Sequence, residues 1–208
     1  MNYLTFRENL LPFEVFSTRD VAKIFPDFDS RRLFEWKDKK YLVRLINKWY
    51  LFAEVPIDDM IFVRISNCLC RPSYVSLESA LSYYHLIPEG VFSLQAMTTL
   101  KTISYTTPVG LFHYRSIKPE FFFGYRILFK NKLPLLMAEV EKAILDYLYL
   151  HSHIKSAQDL EATRFNTSMM KEIVNWNKLT DYASVFKSFT LDKRIKYLKK
   201  IILNAYPS

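Results

Sequence analysis

Glycine is scarce in this chain, with three residues in 208. A Gly-rich phosphate-binding loop of the Rossmann or Walker kind needs several glycines within a few positions, so the sequence excludes a nucleotide site of either kind. Long apolar runs are also missing, and none approaches the roughly 20 residues that span a bilayer. Residues 1–8 lack the charged and apolar regions of a signal peptide. We therefore expect a cytoplasmic protein.

Cysteine is almost absent as well, and Cys68 and Cys70 stand one residue apart. Successive strand residues point to opposite faces, so a disulfide between these two is awkward. A structural zinc needs about four ligands, and only two thiols are close. We predict buried, reduced cysteines. The four histidines, of which His85 is expected to pack or cap a helix, show no metal-ligand spacing: His85, His113, His151 and His153.

Residues that would support catalysis are also missing. No serine lies in a nucleophile elbow, and neither cysteine has an activating neighbour. Glu141-Lys142 resembles a nuclease carboxylate–lysine pair, but Val140 stands where that motif needs an acid. We interpret Glu139, Glu141 and Asp146 as helix-start charges, and we predict no enzyme activity, no metal and no cofactor.

The formal charge of +8 is unevenly distributed. Residues 1–60 contain ten Lys/Arg and ten Asp/Glu, so their net charge is zero. Residues 71–208 contain eighteen Lys/Arg and eleven Asp/Glu, so most of the positive charge lies there. The excess of basic over acidic residues is densest in residues 187–200. A basic surface of this kind suits a polyanion, although it is equally typical of a solvated helix face.

The first 40 residues predict three short helices. The first covers residues 5–13 and packs Leu4, Leu10, Leu11 and Phe13. The second covers 18–25, where Ser17 is the N-cap and Asp20 completes a capping box. Residues 26–29 break that helix, and Ser30 caps the third, over 31–39. Two short helices separated by three to four residues have the spacing of a helix-turn-helix.

The third helix has the features of a recognition helix. If Leu33 and Trp36 face the core, Arg31 and Arg32 project at its N-terminus, where base edges are read. Arginine can contact guanine with two hydrogen bonds, and Glu35 could accept one from cytosine.

Residues 41–52 form two β-rich runs around Asn47-Lys48, which predicts a hairpin. A hairpin directly after a helix-turn-helix is the wing of a winged-helix domain, whose lysines and arginines lie near the sugar–phosphate backbone. The alternative is a small α/β packing module without a DNA role. The predicted DNA-binding residues are Ser17, Thr18, Arg19, Ser30, Arg31, Arg32, Glu35, Lys39, Lys40, Arg44 and Lys48.

Residues 56–60 resemble a hinge, so we expect a first domain at 1–56 and a second at 60–208. The second should begin with a helix at 60–69 and another at 72–89, capped by Ser73 or Ser76. Leu77, Ala80, Leu81 and Tyr84 would form the buried stripe of that second helix.

Beyond residue 100, apolar residues recur at every second position, which is typical of strands. We predict antiparallel strands at 102–106, 111–116, 124–129 and 133–137, and helices at 139–150, 168–179, 182–189 and 191–205. The fold class is therefore α+β, with a small antiparallel sheet and helices after the winged helix-turn-helix. The last helices would carry a second basic surface: Lys187, Lys193, Arg194, Lys196, Lys199 and Lys200.

Two segments resemble the signatures of a known family. They are 71–89, which reads RPSYVSLESALSYYHLIPE, and 138–146, which reads AEVEKAILD. With 110–114 and Gly124-Tyr125 between them, they resemble in wording and order the AbiEi-type antitoxins, transcriptional regulators of two-gene abortive-infection systems. Members of that family usually have glycine at the position that His85 occupies here and proline at the position of Val140. They also usually have glycines around the positions of Lys40 and Lys48.

The resemblance implies a DNA-binding autorepressor that recognises inverted repeats upstream of its own operon. It also implies the antitoxin of a type IV toxin–antitoxin system, which counters a nucleotidyltransferase-like toxin without forming a stable complex. The C-terminal basic residues would lie along the same DNA or act on the nucleic-acid target of the toxin. The alternatives are a stand-alone winged-helix regulator without a toxin and an interaction protein that does not bind DNA.

Overall fold

The computed structural model describes residues 1–88 and 93–204. It combines helices with a small three-stranded sheet and a larger six-stranded sheet, so the α+β class is confirmed. The small sheet belongs to an N-terminal unit of residues 1–55 and the larger sheet to the rest of the chain.

The N-terminal unit alternates short helices and strands. Its elements are α1 (Tyr3–Leu10), a 3-10 turn (Leu11–Phe13), β1 (Val15–Ser17), α2 (Thr18–Ile24), α3 (Arg31–Asp38), β2 (Leu42–Ile46) and β3 (Trp49–Phe52). The predicted hairpin is confirmed, and β1 adds a third antiparallel strand in the order β1-β3-β2.

Two local predictions in this unit are wrong. Helix α1 begins at Tyr3 because the Asn2 side chain accepts a hydrogen bond from the Thr5 backbone N–H at 2.9 Å. Phe6 and Leu10 are therefore its buried residues, and Leu4 is exposed. Ser30 makes no side-chain cap at α3. The Asp29 carboxylate takes that place, because it accepts from the Arg31 N–H at 3.0 Å.

The second unit carries the larger sheet and the remaining helices. Its elements are α4 (Asp59–Leu69), β4 (Ser73–Val75), α5 (Leu77–Tyr83), β5 (Ser93–Thr98), β6 (Ile103–Thr107), β7 (Gly110–Ser116), a 3-10 turn (Pro119–Phe121), β8 (Tyr125–Lys130), β9 (Leu133–Ala138), α6 (Val140–Leu150), α7 (Ala157–Glu161), α8 (Thr167–Ile173), α9 (Trp176–Phe186) and α10 (Phe189–Asn204).

The larger sheet is mixed, not antiparallel as predicted. Its strand order is β6-β7-β5-β4-β9-β8, and the pairs β5–β7 and β4–β9 are parallel. The four strands predicted at 102–106, 111–116, 124–129 and 133–137 are present as β6, β7, β8 and β9, and they pair as two antiparallel hairpins. The predicted helix at 72–89 is wrong in its first third, where β4 pairs with strands on both sides. Leu77, Ala80 and Leu81 are buried on α5 as expected, and Glu89 lies outside the described residues.

The C-terminal helices divide differently from the prediction. The expected helix 168–179 is split between α8 and α9, because the Asn175 side chain caps the second of them. The expected helix 182–189 divides between α9 and α10. Helix α7 was not predicted, and Ala205 lies outside the described residues.

The main hydrophobic core extends into the N-terminal unit through Val15, Leu45 and Leu51. A smaller core, which includes Phe6, Leu33 and Trp36, holds the N-terminal helices on the three-stranded sheet. Cys68 and Cys70 are buried, free thiols as predicted. Among the described helices, none combines the length and apolar character needed to cross a membrane.

Candidate nucleic-acid interface

The start of α2 and the turn of the β2–β3 hairpin form one continuous surface. The Thr18 N–H donates to the Lys48 carbonyl at 2.9 Å. The predicted capping box is confirmed, since Asp20 accepts from the Ser17 N–H at 2.8 Å and the Asp20 N–H donates back to the Ser17 hydroxyl at 3.3 Å. These bonds fix the positions from which the exposed Arg19 and Lys48 side chains reach solvent.

Helix α3 buries one side and exposes the other, as predicted. Leu33 and Trp36 are its buried residues. The Arg31 side chain is 86% exposed, and its guanidinium forms two parallel hydrogen bonds with Asp29, at 3.0 and 2.9 Å. This pairing lowers the pKa of the Asp29 carboxyl and raises that of Arg31. Arg31 therefore lies exposed at the helix N-terminus, paired with Asp29.

Arg32 is placed differently from Arg31. Its side chain is half-buried and its guanidinium donates to the Met1 carbonyl. The two arginines that the sequence predicts side by side therefore diverge, with Arg31 at the solvent surface and Arg32 against the chain terminus. Ser30 and Glu35 are exposed beside Arg31.

The other predicted cations lie on the hairpin and in the segment that joins α3 to it. Arg44 lies on β2, where it donates to the Asn47 side chain at 3.2 Å and stacks 5.9 Å from the ring centre of Phe34. Lys39, Lys40 and Lys48 are exposed. The backbone of Lys40 (φ 61°) and Lys48 (φ 67°) is left-handed. These are the places where the resemblance expects glycine.

The neutral total of the first 60 residues conceals an uneven distribution. Residues 15–52 contain nine Lys/Arg against five Asp/Glu. The acids outside this stretch include Glu54, which pairs with Arg7 at 2.6 Å, and Asp58, which pairs with Lys130 at 2.7 Å. The surface made by α2, α3 and the hairpin is consequently basic.

Sequence reasoning missed several residues of this surface. Phe34 is 48% exposed on α3, and Asp29 and Lys37 lie at opposite ends of that helix. Phe34 could have been found from its spacing, because it falls outside the buried pair Leu33 and Trp36. The hydrogen bonds of Asp29 to Arg31 carry no comparable sequence signal.

Five of the six residues predicted for the second basic surface are exposed: Lys187, Lys193, Lys196, Lys199 and Lys200. Arg194 contradicts the prediction because it is 7% exposed. Its guanidinium donates to the carbonyls of Leu148, Ser152 and Ile154 at 2.6, 3.1 and 2.7 Å. Those carbonyls lie at and beyond the end of α6, where helical partners are missing. Arg194 therefore ties α10 to α6.

The two family-like segments meet in one buried cluster. Tyr74 and Ser76, from the first, donate to the Asp146 carboxylate at 2.9 and 2.8 Å. Lys142, from the second, is an ion-pair partner of Asp146, and both side chains are fully buried. The prediction of Asp146 as a helix-start charge is therefore wrong. Ser76 is also not a side-chain cap, since its hydroxyl serves Asp146. The cluster is closed to solvent and ties β4 and the start of α5 to α6.

The histidines show no metal site. Among residues 1–88 and 93–204, no group of three or more His, Cys, Asp or Glu is placed to hold an ion. His85 is exposed and is not packed, but it does end helix α5, as the capping alternative expects: its backbone is left-handed (φ 57°) and its N–H donates to the Ser82 carbonyl at 2.9 Å. Both nitrogens of His151 are engaged, one with Glu78 at 3.1 Å and one with the Tyr147 carbonyl at 2.8 Å.

A scan of protein-family models and a search of curated proteins found no match to this chain.

Proposed function

We propose that the chain is a DNA-binding transcriptional autorepressor whose N-terminal unit is a winged helix-turn-helix. The observation that carries the proposal is the joined surface of α2, α3 and the β2–β3 hairpin. Its exposed face is basic, and Arg31 projects at the N-terminus of α3. That arrangement matches a module that reads base edges with one helix and contacts phosphates with a hairpin.

The biological role we propose follows the motif resemblance. The chain acts as antitoxin of a type IV toxin–antitoxin system and counters a nucleotidyltransferase-like toxin without a stable complex. A gene for such a toxin directly downstream separates this role from that of a stand-alone regulator. The exposed lysines of α10 would follow the same DNA or protect the nucleic acid that the toxin modifies.

DNA binding is tested by fluorescence anisotropy with a duplex from upstream of the chain's own gene and an unrelated duplex of equal length. We expect tighter binding to the upstream duplex, with an affinity that falls as salt rises. Lys40→Gln and Lys48→Gln should each weaken binding to both duplexes and reduce the salt slope by about one. Lys118→Gln removes an exposed lysine from the second unit as the matched control.

Arg31 is tested separately, because a base contact and a phosphate contact behave differently. Arg31→Ala should weaken binding to the upstream duplex by about 1–3 kcal/mol and leave the unrelated duplex nearly unaffected. Equal weakening on both duplexes would make Arg31 a phosphate contact. The absence of any salt-dependent DNA binding would instead favour a protein that does not act on DNA.

A further inference from the structure

A groove of about 400 Å³ lies where the two units meet on the basic side of the N-terminal unit. Helix α3 contributes one wall, the β2–β3 hairpin the floor, and the β6–β7 turn of the second unit the other wall. The lining residues are Lys37, Lys40, Leu42, Val43, Arg44, Ala53 and Pro108. The groove is open to solvent along one side, so a single-ring compound would lie along it partly exposed.

The floor and the far wall of the groove are apolar. Leu42 is 2% exposed, and Val43 beside it is partly buried. Pro108 comes from the turn between β6 and β7, so an apolar group in the groove would contact both units at once.

All three charged residues of the groove are cations. Lys37 is paired with Asp38, its exposed neighbour, at 3.0 Å. Within the described residues, Lys40 and Arg44 have no carboxylate at ion-pair distance. The C-terminal end of α3 accounts for a preference for lysine there. It does not account for Arg44, which comes from a strand and donates to Asn47 but has no carboxylate partner among the described residues, or for the apolar floor beside it.

We propose that this groove binds a small organic anion: a carboxylate carried on an aromatic or short aliphatic body. The carboxylate is held by Lys40 and Arg44, and the apolar body covers Val43, Ala53 and Pro108. Because Lys40 and Arg44 are also predicted phosphate contacts, the bound anion competes with DNA for them. The competition rests on the proposed function, whereas the binding does not.

Binding is tested with the full chain labelled with ¹⁵N and titrated with benzoate, benzamide and inorganic phosphate at constant ionic strength. We expect saturable shifts of the Val43 and Ala53 amides with benzoate. Benzamide, which has the ring without the charge, should bind at least about fivefold more weakly, as expected for two exposed charge contacts. Phosphate should not saturate the Ala53 amide, because it lacks an apolar body.

Two kinds of variant separate the cations from the floor. Lys40→Gln with Arg44→Gln should remove the preference for benzoate over benzamide, whereas Lys118→Gln with Lys132→Gln, the matched control, should keep it. Ala53→Trp fills the groove and should abolish benzoate binding with all cations intact. If Ala53→Trp fails to fold, Pro108→Tyr fills the groove from the second unit and should abolish benzoate binding in the same way. Equal affinity for benzoate and benzamide, or saturation of the same amides by phosphate, would overturn the site.

The competition is tested by adding benzoate to the complex of the chain with its upstream duplex. Release of DNA by benzoate and not by benzamide supports it. Saturation of the groove without release of DNA overturns the competition and leaves the site intact. If no duplex is bound at all, the proposed function fails, and the titration of the free chain still decides the site.

Discussion

At the scale of single residues, the most informative group is the set of side chains that occupy left-handed backbone. Lys40, Lys48 and His85 have φ values of 61°, 67° and 57°. An L-residue with a side chain raises the energy of the folded state by roughly 1–2 kcal/mol in this region, whereas glycine does not. The motif resemblance predicts glycine at or near the same three places, and the side chains present there occupy backbone that glycine adopts without strain.

Replacement of Lys48 by glycine should therefore stabilise the fold relative to replacement by alanine. Both variants remove the same charge, but only glycine relieves the left-handed strain. The expected difference in the free energy of unfolding is about 1 kcal/mol, after the greater flexibility of glycine in the unfolded chain is subtracted. Urea denaturation of both variants measures it. Equal midpoints would mean that the turn relaxes to another conformation.

Arg194 gives a second residue-scale contrast, because its neighbour Lys193 is exposed. Arg194→Leu would leave three carbonyls at the end of α6 without their donor, which predicts a loss of about 2–4 kcal/mol in unfolding free energy. Lys193→Gln should change it by less than about 0.5 kcal/mol. Thermal and urea unfolding test the pair. A small loss of unfolding free energy for Arg194→Leu, together with weaker nucleic-acid binding, would mean that Arg194 belongs to the basic surface after all.

At the scale of elements, local signals predicted local structure. The capping box of Ser17 and Asp20 predicts the start of α2, and the turn at Asn47-Lys48 predicts the β2–β3 hairpin. Each of these signals lies within a few residues of the element that it specifies.

Elements that depend on distant partners were missed. Strand β1 has three residues and exists because it pairs with β3, more than 30 residues away. The sequence predicts helix over β4 because Ser73 suits a helix N-cap. The pairing of β4 with β5 and β9 decides otherwise. The same holds for the candidate site, where the exposure of Arg31 was predictable and its bonds to Asp29 were not.

The pair of Glu78 and His151 joins the first turn of α5 to the end of α6, at 3.1 Å. Burial favours the neutral form of both groups. Burial is the largest single influence, but the mutual hydrogen bond, the backbone hydrogen bonds and the attraction between the two groups together outweigh it, so the pKa of Glu78 is lowered and that of His151 is raised. The stabilisation from His151 is complete below its unfolded pKa of about 6.5 and is lost as pH rises through the higher folded value. The contribution of Glu78 is complete above about 4.3 and is lost as pH falls through its lowered pKa.

The pair should therefore stabilise the fold most between about pH 4.5 and 6.5. His151→Gln should lower the unfolding free energy more at pH 5.5 than at pH 8.5, by up to about 1 kcal/mol, because both side chains are partly exposed and screened by solvent. Urea unfolding at the two pH values tests this, with His153→Gln, an exposed neighbour, as control. A loss independent of pH would assign His151 a packing role through its contact with the Tyr147 ring.

At the scale of the whole molecule, the buried cluster of Tyr74, Ser76, Lys142 and Asp146 connects elements far apart in the chain. Strand β4 supplies Tyr74, the start of α5 follows Ser76, and α6 carries the ion pair. The Lys142 ammonium also lies 5.3 Å from the ring centre of Phe186 on α9. The segments that gave the chain its family resemblance are therefore the ones that assemble the second unit, and the surface proposed to act on DNA lies elsewhere.

The cluster predicts strongly unequal effects of single and paired substitutions. Asp146→Asn leaves the Lys142 charge buried without a partner, and Lys142→Met does the same to Asp146. Each should reduce the unfolding free energy by about 3–5 kcal/mol. The double variant should recover more than half of the summed loss, because the introduced methionine fills the space of the lysine and the amide oxygen of the introduced asparagine still accepts from Tyr74 and Ser76.

A double-mutant cycle by urea denaturation at pH 7 measures this coupling, and Lys178→Met, at a partly exposed ion pair on α9, serves as the control. DNA binding supplies the second measurement. Variants of the cluster that remain folded should bind the upstream duplex with unchanged affinity and salt slope, because none of their groups reaches the surface. Additive losses in the cycle would mean that Lys142 and Asp146 are stabilised by separate surroundings and not by each other. Weaker DNA binding by a folded variant would mean that the geometry of the second unit is transmitted to the N-terminal unit through the core that both share.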